Sequence, residues 1–168
     1  MTVLTKMHKA CCGIAVLFLL STPASACTEV KDWLSVCTDG SKWEAVVDKD
    51  GEILFRDTDT FKGQLLVYKG GTGDGLEVED AAASASQSDK KSSEEYEILT
   101  RGKMPSGNIV FTSHAKRDGT DYIYVTTLSM GAKETLRITT WQRGTQVTDA
   151  DRVAHRAFGA LIKLKGTR

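Results

Sequence analysis

Near the end of the chain, apolar residues recur at the spacing of an α-helix. Seven of them, between residues 150 and 162, follow the i, i+3, i+4 pattern that places side chains on one helix face. They are Ala150, Val153, Ala154, Ala157, Phe158, Leu161 and Ile162. Thr148 and Asp151 have the spacing of a capping box at the helix start, and residues 163–166 supply basic side chains and a glycine for its end. The pattern predicts an amphipathic helix that packs one face against a sheet.

Before this helix, short apolar runs separated by turn residues predict β-strands. The predicted strands span residues 42–47, 52–56, 64–69, 96–101, 108–115, 121–130 and 134–142. An Asp-Lys-Asp-Gly turn between the first two predicts a hairpin, and the last four form a meander with Gly-containing connections. The fold class is therefore α+β: an antiparallel β-sheet of about six to seven strands, with the C-terminal amphipathic helix packed on one face.

Residues 70–95 differ in composition from their surroundings and are predicted to be a flexible segment. Four of the six residues from 70 to 75 are glycine, which favours a loop. The Ala-rich stretch 76–87 predicts one modest helix, because alanine is the best helix former. The charged, Ser-rich stretch 88–95 predicts an exposed linker.

The first 26 residues have the three parts of a secretory signal peptide. Lys6 and Lys9 precede an uncharged run of 11 residues, 10–20, and Ala24-Ser25-Ala26 has the small residues of a cleavage site. As a helix this run would span about 16 Å, well short of a hydrocarbon core. We predict a periplasmic or secreted protein with no membrane span, an N-terminal arm or short helix over 27–41, and a single domain over 42–168.

Cleavage after Ala26 would make Cys27 the first residue of the mature protein. Cys27 and Cys37 are the cysteines that remain, and in an oxidising compartment they are predicted to form a disulfide. The alternative is a lipoprotein anchored through Cys27, since bacterial lipoproteins also begin at a cysteine. Ala24 stands where their processing signal usually has leucine, which favours the disulfide.

Composition and charge exclude several classes of protein. The chain has 168 residues, 40% apolar and 7% aromatic, which is neither collagen-like, disordered nor multi-span membrane composition. The 22 basic and 22 acidic residues balance, and the two basic residues of the first 26 leave 20 against 22 in the rest. A mildly acidic domain predicts no nucleic-acid or anionic-lipid partner.

Two histidines follow the predicted signal peptide, and one of them is a candidate catalytic base. His114 lies in a predicted strand, and Asp118 or Asp121 would orient it if either carboxylate came near. The alternative is a half-buried strand histidine without chemistry. His155 is predicted at the boundary of the apolar helix face. The sequence has no zinc-binding motif, and we expect neither metal nor cofactor.

Trp141 is the most notable aromatic residue. It ends the last predicted strand, on the face opposite to Leu136 and Ile138, together with Arg137. A tryptophan on the more polar face of a sheet either covers another segment or marks a binding groove. Trp141 and Arg137 are therefore the candidate binding residues.

The order of the predicted elements resembles that of a known fold. The predicted elements follow one another in this order: a strand ending at Ile53–Asp57, a second strand at 64–68, a middle acidic helix, a meander and a closing helix at 149–164. Over residues 40–165 the chain thus resembles the PsbP/Mog1-like family, including DcrB-like periplasmic proteins. The resemblance implies accessory, binding or chaperone-like roles more than enzymatic ones.

The hypothesis from the sequence is an exported, non-enzymatic envelope protein that acts as a binding or accessory module. Its partner would be another envelope protein or a small ligand. One alternative is a small periplasmic hydrolase that uses His114 with Asp118 or Asp121. Another is an inhibitor or immunity-like protein.

Overall fold

The computed structural model describes residues 27–47, 53–57 and 60–165. The predicted signal peptide, the turn of the first hairpin and Gly166 lie outside the described residues. The strands are β1 (Cys27–Lys31), β2 (Leu34–Cys37), β3 (Trp43–Val47), β4 (Ile53–Asp57), β5 (Lys62–Lys69), β6 (Glu95–Lys103), β7 (Ile109–Arg117), β8 (Thr120–Met130), β9 (Glu134–Arg143) and β10 (Ile162–Leu164). The helices are α1 (Val78–Lys91) and α2 (Asp149–Ala160), with a 3-10 turn at Thr72–Asp74.

Seven strands form one antiparallel sheet in the order β3-β4-β5-β9-β8-β7-β6. The hairpin β3-β4 and the meander β6-β7-β8-β9 pair as the sequence predicts. β5 joins the hairpin to the meander, because it pairs with β4 on one side and with β9 on the other. Its pairing with β9 runs from Lys62↔Trp141 to Lys69↔Glu134. The α+β class, the antiparallel sheet and the C-terminal helix are confirmed.

The two helices cover opposite faces of this sheet. Val78, Ala82 and Ala85 of α1 pack with a cluster that includes Leu128 of β8. The next residue along β8, Thr127, hydrogen-bonds His155 of α2 at 2.7 Å. Because successive side chains of a strand point to opposite faces, α1 lies on one face, called here the α1 face, and α2 lies on the other, the α2 face.

Phe158 of α2 is the centre of the larger core cluster. Its side chain is fully buried, and its ring centroid lies 4.8 Å from that of Trp43 and 5.2 Å from that of Phe55. A Cβ atom on Gly63 would lie 3.0 Å from the Phe158 ring. The glycine therefore lets the ring approach the backbone of β5.

The buried face of α2 differs from the predicted apolar stripe. It consists of Asp151, Ala154, His155 and Phe158, whereas Val153 is 54% exposed. The capping box is confirmed, because Asp151 N donates to Thr148 Oγ1 at 3.4 Å and Thr148 N donates to the Asp151 carboxylate at 2.7 Å. Gln142 Nε2 also donates to this carboxylate, at 2.8 Å. These partners satisfy the carboxylate in the interior, where an unpaired one would be costly.

The helix also ends earlier than predicted. It stops at Ala160, and residues 162–164 continue as β10, which pairs with β2 through Ile162↔Val36 and Leu164↔Leu34. Leu34 and Val36 are fully buried. Lys163 is therefore part of a strand, not of the last helical turn.

The N-terminal segment is a hairpin, not a short helix. β1 and β2 pair antiparallel, and together with β10 they make a three-stranded sheet. The predicted disulfide is confirmed: Cys27 and Cys37 are bonded, with their Cα atoms 3.9 Å apart. Glu29 forms an ion pair with Lys165, which lowers the pKa of Glu29 through a hydrogen bond and charge attraction.

The predicted middle helix is present but ends four residues later than expected. Residues 88–91 belong to α1, so this part of the predicted linker is helical. Before it, the glycine-rich loop bonds to the β8–β9 turn, with Thr72 N donating to Gly131 O at 2.9 Å and Gly73 N to Ala132 O at 2.8 Å. A Cβ on Gly71 would lie 2.2 Å from Gly131 O, so this position requires glycine. The flexibility predicted for residues 70–95 stays a prediction.

In the ranges that the structure describes, neither helix has the length and apolar character needed to cross a membrane.

Candidate functional site

A cavity of about 450 Å³ lies between α1 and the sheet and is called here the α1 cavity. Its helix side consists of Asp80, Ala81, Ser84, Ala85 and Ser88, and Leu76 lies just before the helix. Its sheet side consists of Tyr68, Lys69, Leu128, Thr135 and Arg137. The space remains because α1 presents small Ala and Ser side chains to β5 and β9, where larger side chains would fill it.

Arg137 lies in the wall of the α1 cavity and is only 8% exposed. Its guanidinium donates to Asp89 Oδ2 of α1 at 2.6 Å and to Thr139 Oγ1 at 3.1 Å. Burial opposes the charge of this group, but the Asp89 carboxylate and Tyr68 outweigh burial and raise the pKa of Arg137. The guanidinium stays charged and holds α1 against the sheet.

Trp141 lies on the same face of β9 as Arg137 but in a different cavity. This second cavity, of about 320 Å³, is called here the aromatic cavity. It is lined by Thr60, Lys62, Tyr122, Trp141, Gln142 and Arg143. The Trp141 ring stacks on Tyr124 with 6.0 Å between centroids and 24° between planes. The two candidate binding residues therefore belong to separate sites, and a binding role for each stays a prediction.

The structure pairs His114 with Asp121 rather than with Asp118. His114 Nε2 lies 2.9 Å from Asp121 Oδ1, on the α2 face. Their side chains are 16% and 37% exposed. Asp118 lies in the β7–β8 turn with a φ of 49°. Together with Arg117 it lines a third cavity, of about 340 Å³. A carboxylate at this distance fixes the orientation of an imidazole, which a general base requires.

A hydrolase needs more than an oriented histidine. Within the described ranges, no hydroxyl or thiol hydrogen-bonds the His114 ring, and His114 lines none of the three cavities named above. The pair is thus an oriented base, and neither its hydrogen bonds nor the three cavities named above supply the nucleophile and substrate site that a hydrolase also needs.

His155, predicted at a boundary, is buried in the structure. Thr127 Oγ1 lies 2.7 Å from its Nε2, and Thr140 Oγ1 lies 3.0 Å from its Nδ1. Burial lowers the pKa of His155 to about 4, so the ring is neutral at pH 7. Its role is structural, because both ring nitrogens are occupied by core hydroxyls.

Two features of the sites were not found from the sequence, although signals for both are present. Tyr122 and Tyr124 alternate on β8, which places both on the face of Trp141. The Ala- and Ser-rich composition of residues 81–88 indicates a helix face too small to fill the space beneath it. In the described part of the chain, no group of three His, Cys, Asp or Glu side chains is placed to hold a metal ion.

No family model and no curated protein matches the chain. The structure of LpqN, involved in cell envelope biogenesis of Mycobacterium tuberculosis, is similar with a TM-score of 0.51 and 6% identity, over 85% of this chain and 91% of LpqN. Protein PA94 of Pseudomonas aeruginosa, of unknown function, has a TM-score of 0.45 and 12% identity, over 79% and 88% of the two chains. A protein of Bacteroides thetaiotaomicron VPI-5482 has a TM-score of 0.43 and 15% identity over 80% of this chain.

The present chain spans 46% of that Bacteroides protein. The likeness to LpqN shows a shared fold and nothing more. Membership of the PsbP/Mog1-like family stays a prediction.

Proposed function

We propose that this protein is an exported, non-enzymatic binding module of the cell envelope and that the α1 cavity holds its ligand. The observation that carries the proposal is the cavity itself. Its volume, about 450 Å³, falls in the range of small-molecule sites, and its wall contains a buried charge that is already paired.

The disulfide and the fold support a place in the envelope. Cys27 and Cys37 are bonded, which is typical of proteins that leave the cytosol. LpqN, whose fold is similar, is involved in cell envelope biogenesis. The predicted signal peptide would direct the chain to the periplasm or the exterior. A lipoprotein anchored through Cys27 is the alternative location.

The lining of the α1 cavity favours a small, mostly apolar ligand with a few hydroxyl or amide groups. Leu76, Leu128 and Tyr68 supply apolar surface, and both Leu76 and Tyr68 are 43% exposed at its edge. Ser84 and Ser88 supply hydroxyl groups. Since Arg137 is engaged by Asp89, the site does not depend on an anionic ligand.

A dye and two matched variants test this proposal. We expect anilinonaphthalene sulfonate, a dye that fluoresces on apolar surfaces, to bind the folded protein saturably. Ser84→Trp places an indole in the cavity and should weaken binding at least about tenfold, which is about 1.4 kcal/mol. Ala83→Trp adds the same indole to an exposed position of α1 that does not line the cavity, and should leave binding unchanged. Equal affinities of the two variants would contradict the proposal.

The hydrolase is the second candidate, because the His114–Asp121 distance of 2.9 Å is that of an oriented base. It predicts that His114→Gln and Asp121→Asn abolish function in a deletion strain, while Asp118→Asn does not. The binding proposal predicts full complementation by all three variants, at normal abundance. An inhibitor or immunity-like role would instead appear as a stable complex with one target protein.

A further inference from the structure

We infer that the aromatic cavity is a second binding site, for a saccharide that carries carboxylate groups. The inference does not rest on the α1 cavity, which lies at the other end of the same sheet face.

The sheet register places an aromatic surface between two cations. Lys62, Trp141 and Tyr124 are direct cross-strand neighbours on β5, β9 and β8. In the next row on the same face, Arg143 is paired with Tyr122. Side chains at such positions lie within contact distance of each other. Trp141 therefore has Lys62 on one side and Arg143 two residues along its own strand.

The Trp141 ring is held in place by its neighbour on β8. Tyr124 stacks on it, and the Arg117 guanidinium carbon lies 5.2 Å from the centroid of the Tyr124 ring. Arg117 in turn donates hydrogen bonds to Ser93 at 3.2 Å and Ser92 at 3.1 Å, after the end of α1. A ring fixed in this way loses little conformational freedom when a ligand binds.

The groups in this cavity match the two sides of a sugar ring. The C–H face of a pyranose is apolar and stacks on indole and phenol rings, while its hydroxyl groups need hydrogen-bond partners at the edge. Thr60 lines the cavity at this edge and supplies a hydroxyl group. The Gln142 side chain is already engaged, since its Nε2 donates to Asp151 at 2.8 Å and its Oε1 accepts from Thr60 at 3.4 Å. The cavity volume of about 320 Å³ lies at the small end of known ligand sites, which suits one sugar unit at a time.

The charge at the site indicates an acidic sugar. None of the six lining residues is acidic, and both Lys62 and Arg143 are exposed. Within the described ranges neither of the two forms an ion pair. The site is thus cationic in a chain whose residues after position 26 are acidic on balance. Charge-assisted hydrogen bonds from Lys and Arg are the usual partners of carboxylates.

Calorimetric titration of the disulfide-bonded protein with a polygalacturonate oligomer tests the inference, with a neutral galactose oligomer as the reference. In 0.15 M salt we expect the acidic oligomer to bind and the neutral one to bind at least about tenfold more weakly. The double variant Lys62→Gln/Arg143→Gln should remove this preference. The matched control Lys103→Gln/Lys133→Gln removes two exposed cations elsewhere and should keep it.

Trp141→Leu should weaken binding of both oligomers, and Tyr122→Leu serves the same purpose if the first variant does not fold. Binding that survives the loss of Lys62 and Arg143, or falls equally in the control, would overturn the inference. So would binding that is indifferent to Trp141 and Tyr122, since it would then be non-specific charge attraction.

Discussion

Asp89 of α1 and Arg137 of β9 form an ion pair of 2.6 Å between the middle helix and the sheet. Their side chains are 16% and 9% exposed, so neither charge is well hydrated. Arg117 lies near the same carboxylate, at 3.9 Å. The end of α1 is therefore fixed by charge, whereas its beginning is fixed by the small apolar residues Val78 and Ala82.

We predict that Asp89→Asn destabilises the protein by roughly 3–5 kcal/mol, because it leaves the Arg137 charge buried without its partner. Urea unfolding at neutral pH measures the change. Glu79→Gln, also on α1, is the matched control: it breaks the exposed ion pair between Glu79 and Arg101 of β6, and should cost less than about 1 kcal/mol. Equal losses in the two variants would show that the buried pair does not hold α1.

Phe158→Ala is predicted to cost roughly 3–5 kcal/mol, since it empties the centre of the α2 core. Val153→Ala, at a position 54% exposed on the same helix, should cost less than about 1 kcal/mol. The sequence pattern alone would place both residues in the core. Urea unfolding of the two variants therefore distinguishes the observed buried face from the predicted one, and similar losses would favour the predicted stripe.

The periodicity of apolar residues was sufficient to predict the seven-stranded sheet and the existence of α2, because alternation and helical spacing are local signals. It was not sufficient for the buried face of α2. Asp151 and His155 enter the core because Gln142 and Thr140, on a neighbouring strand, satisfy their polar atoms. Such partners lie outside the window in which a periodic pattern is read.

The N-terminal hairpin and the cavities depend on contacts between distant segments. β2 has four residues; it pairs with β10, more than 120 residues later, and its buried Leu34 and Val36 belong to the same core cluster as Phe158. Alternation correctly placed Arg137 and Trp141 on one face of β9. It did not show that α1 would cover the first residue and leave the second beside a separate cavity.

The pH dependence of stability should contain a contribution from His155. Its pKa is lowered from 6.5 to about 4 by burial, so the unfolded chain binds a proton more readily than the folded one. Stability from this residue is complete above about pH 6.5, falls as the pH decreases towards 4, and is constant below it. The total loss should be roughly 3 kcal/mol.

His155→Gln provides the comparison, because glutamine can hydrogen-bond both threonine hydroxyls but does not titrate. Unfolding free energies of both proteins between pH 4 and 7 are to be measured, and the difference between them isolates this residue from the carboxylates. The variant should lose less stability on acidification than the parent protein. If the two curves of unfolding free energy against pH are parallel, the pKa of His155 is the same in the folded and unfolded chains, which would contradict the prediction.

The N-terminus allows a direct test of the export route. The Cys27 sulfur that bonds Cys37 cannot also carry a lipid thioether, so we predict a mature chain that begins at Cys27, without an acyl group. Intact-mass measurement of protein purified from the organism should give the mass of residues 27–168 less two hydrogens. Alkylation should add no mass before reduction and two groups after it.

Cys37→Ser distinguishes the two states of Cys27 further. If the disulfide is the native state, the variant exposes one alkylatable thiol at Cys27, and its stability falls by roughly 2–3 kcal/mol, the loop-closure contribution of a short disulfide loop. If Cys27 is acylated, the variant has no free thiol, fractionates with membranes and unfolds as the parent does. An acyl mass on the parent protein would therefore contradict the disulfide and establish the lipoprotein, because the two modifications compete for one sulfur atom.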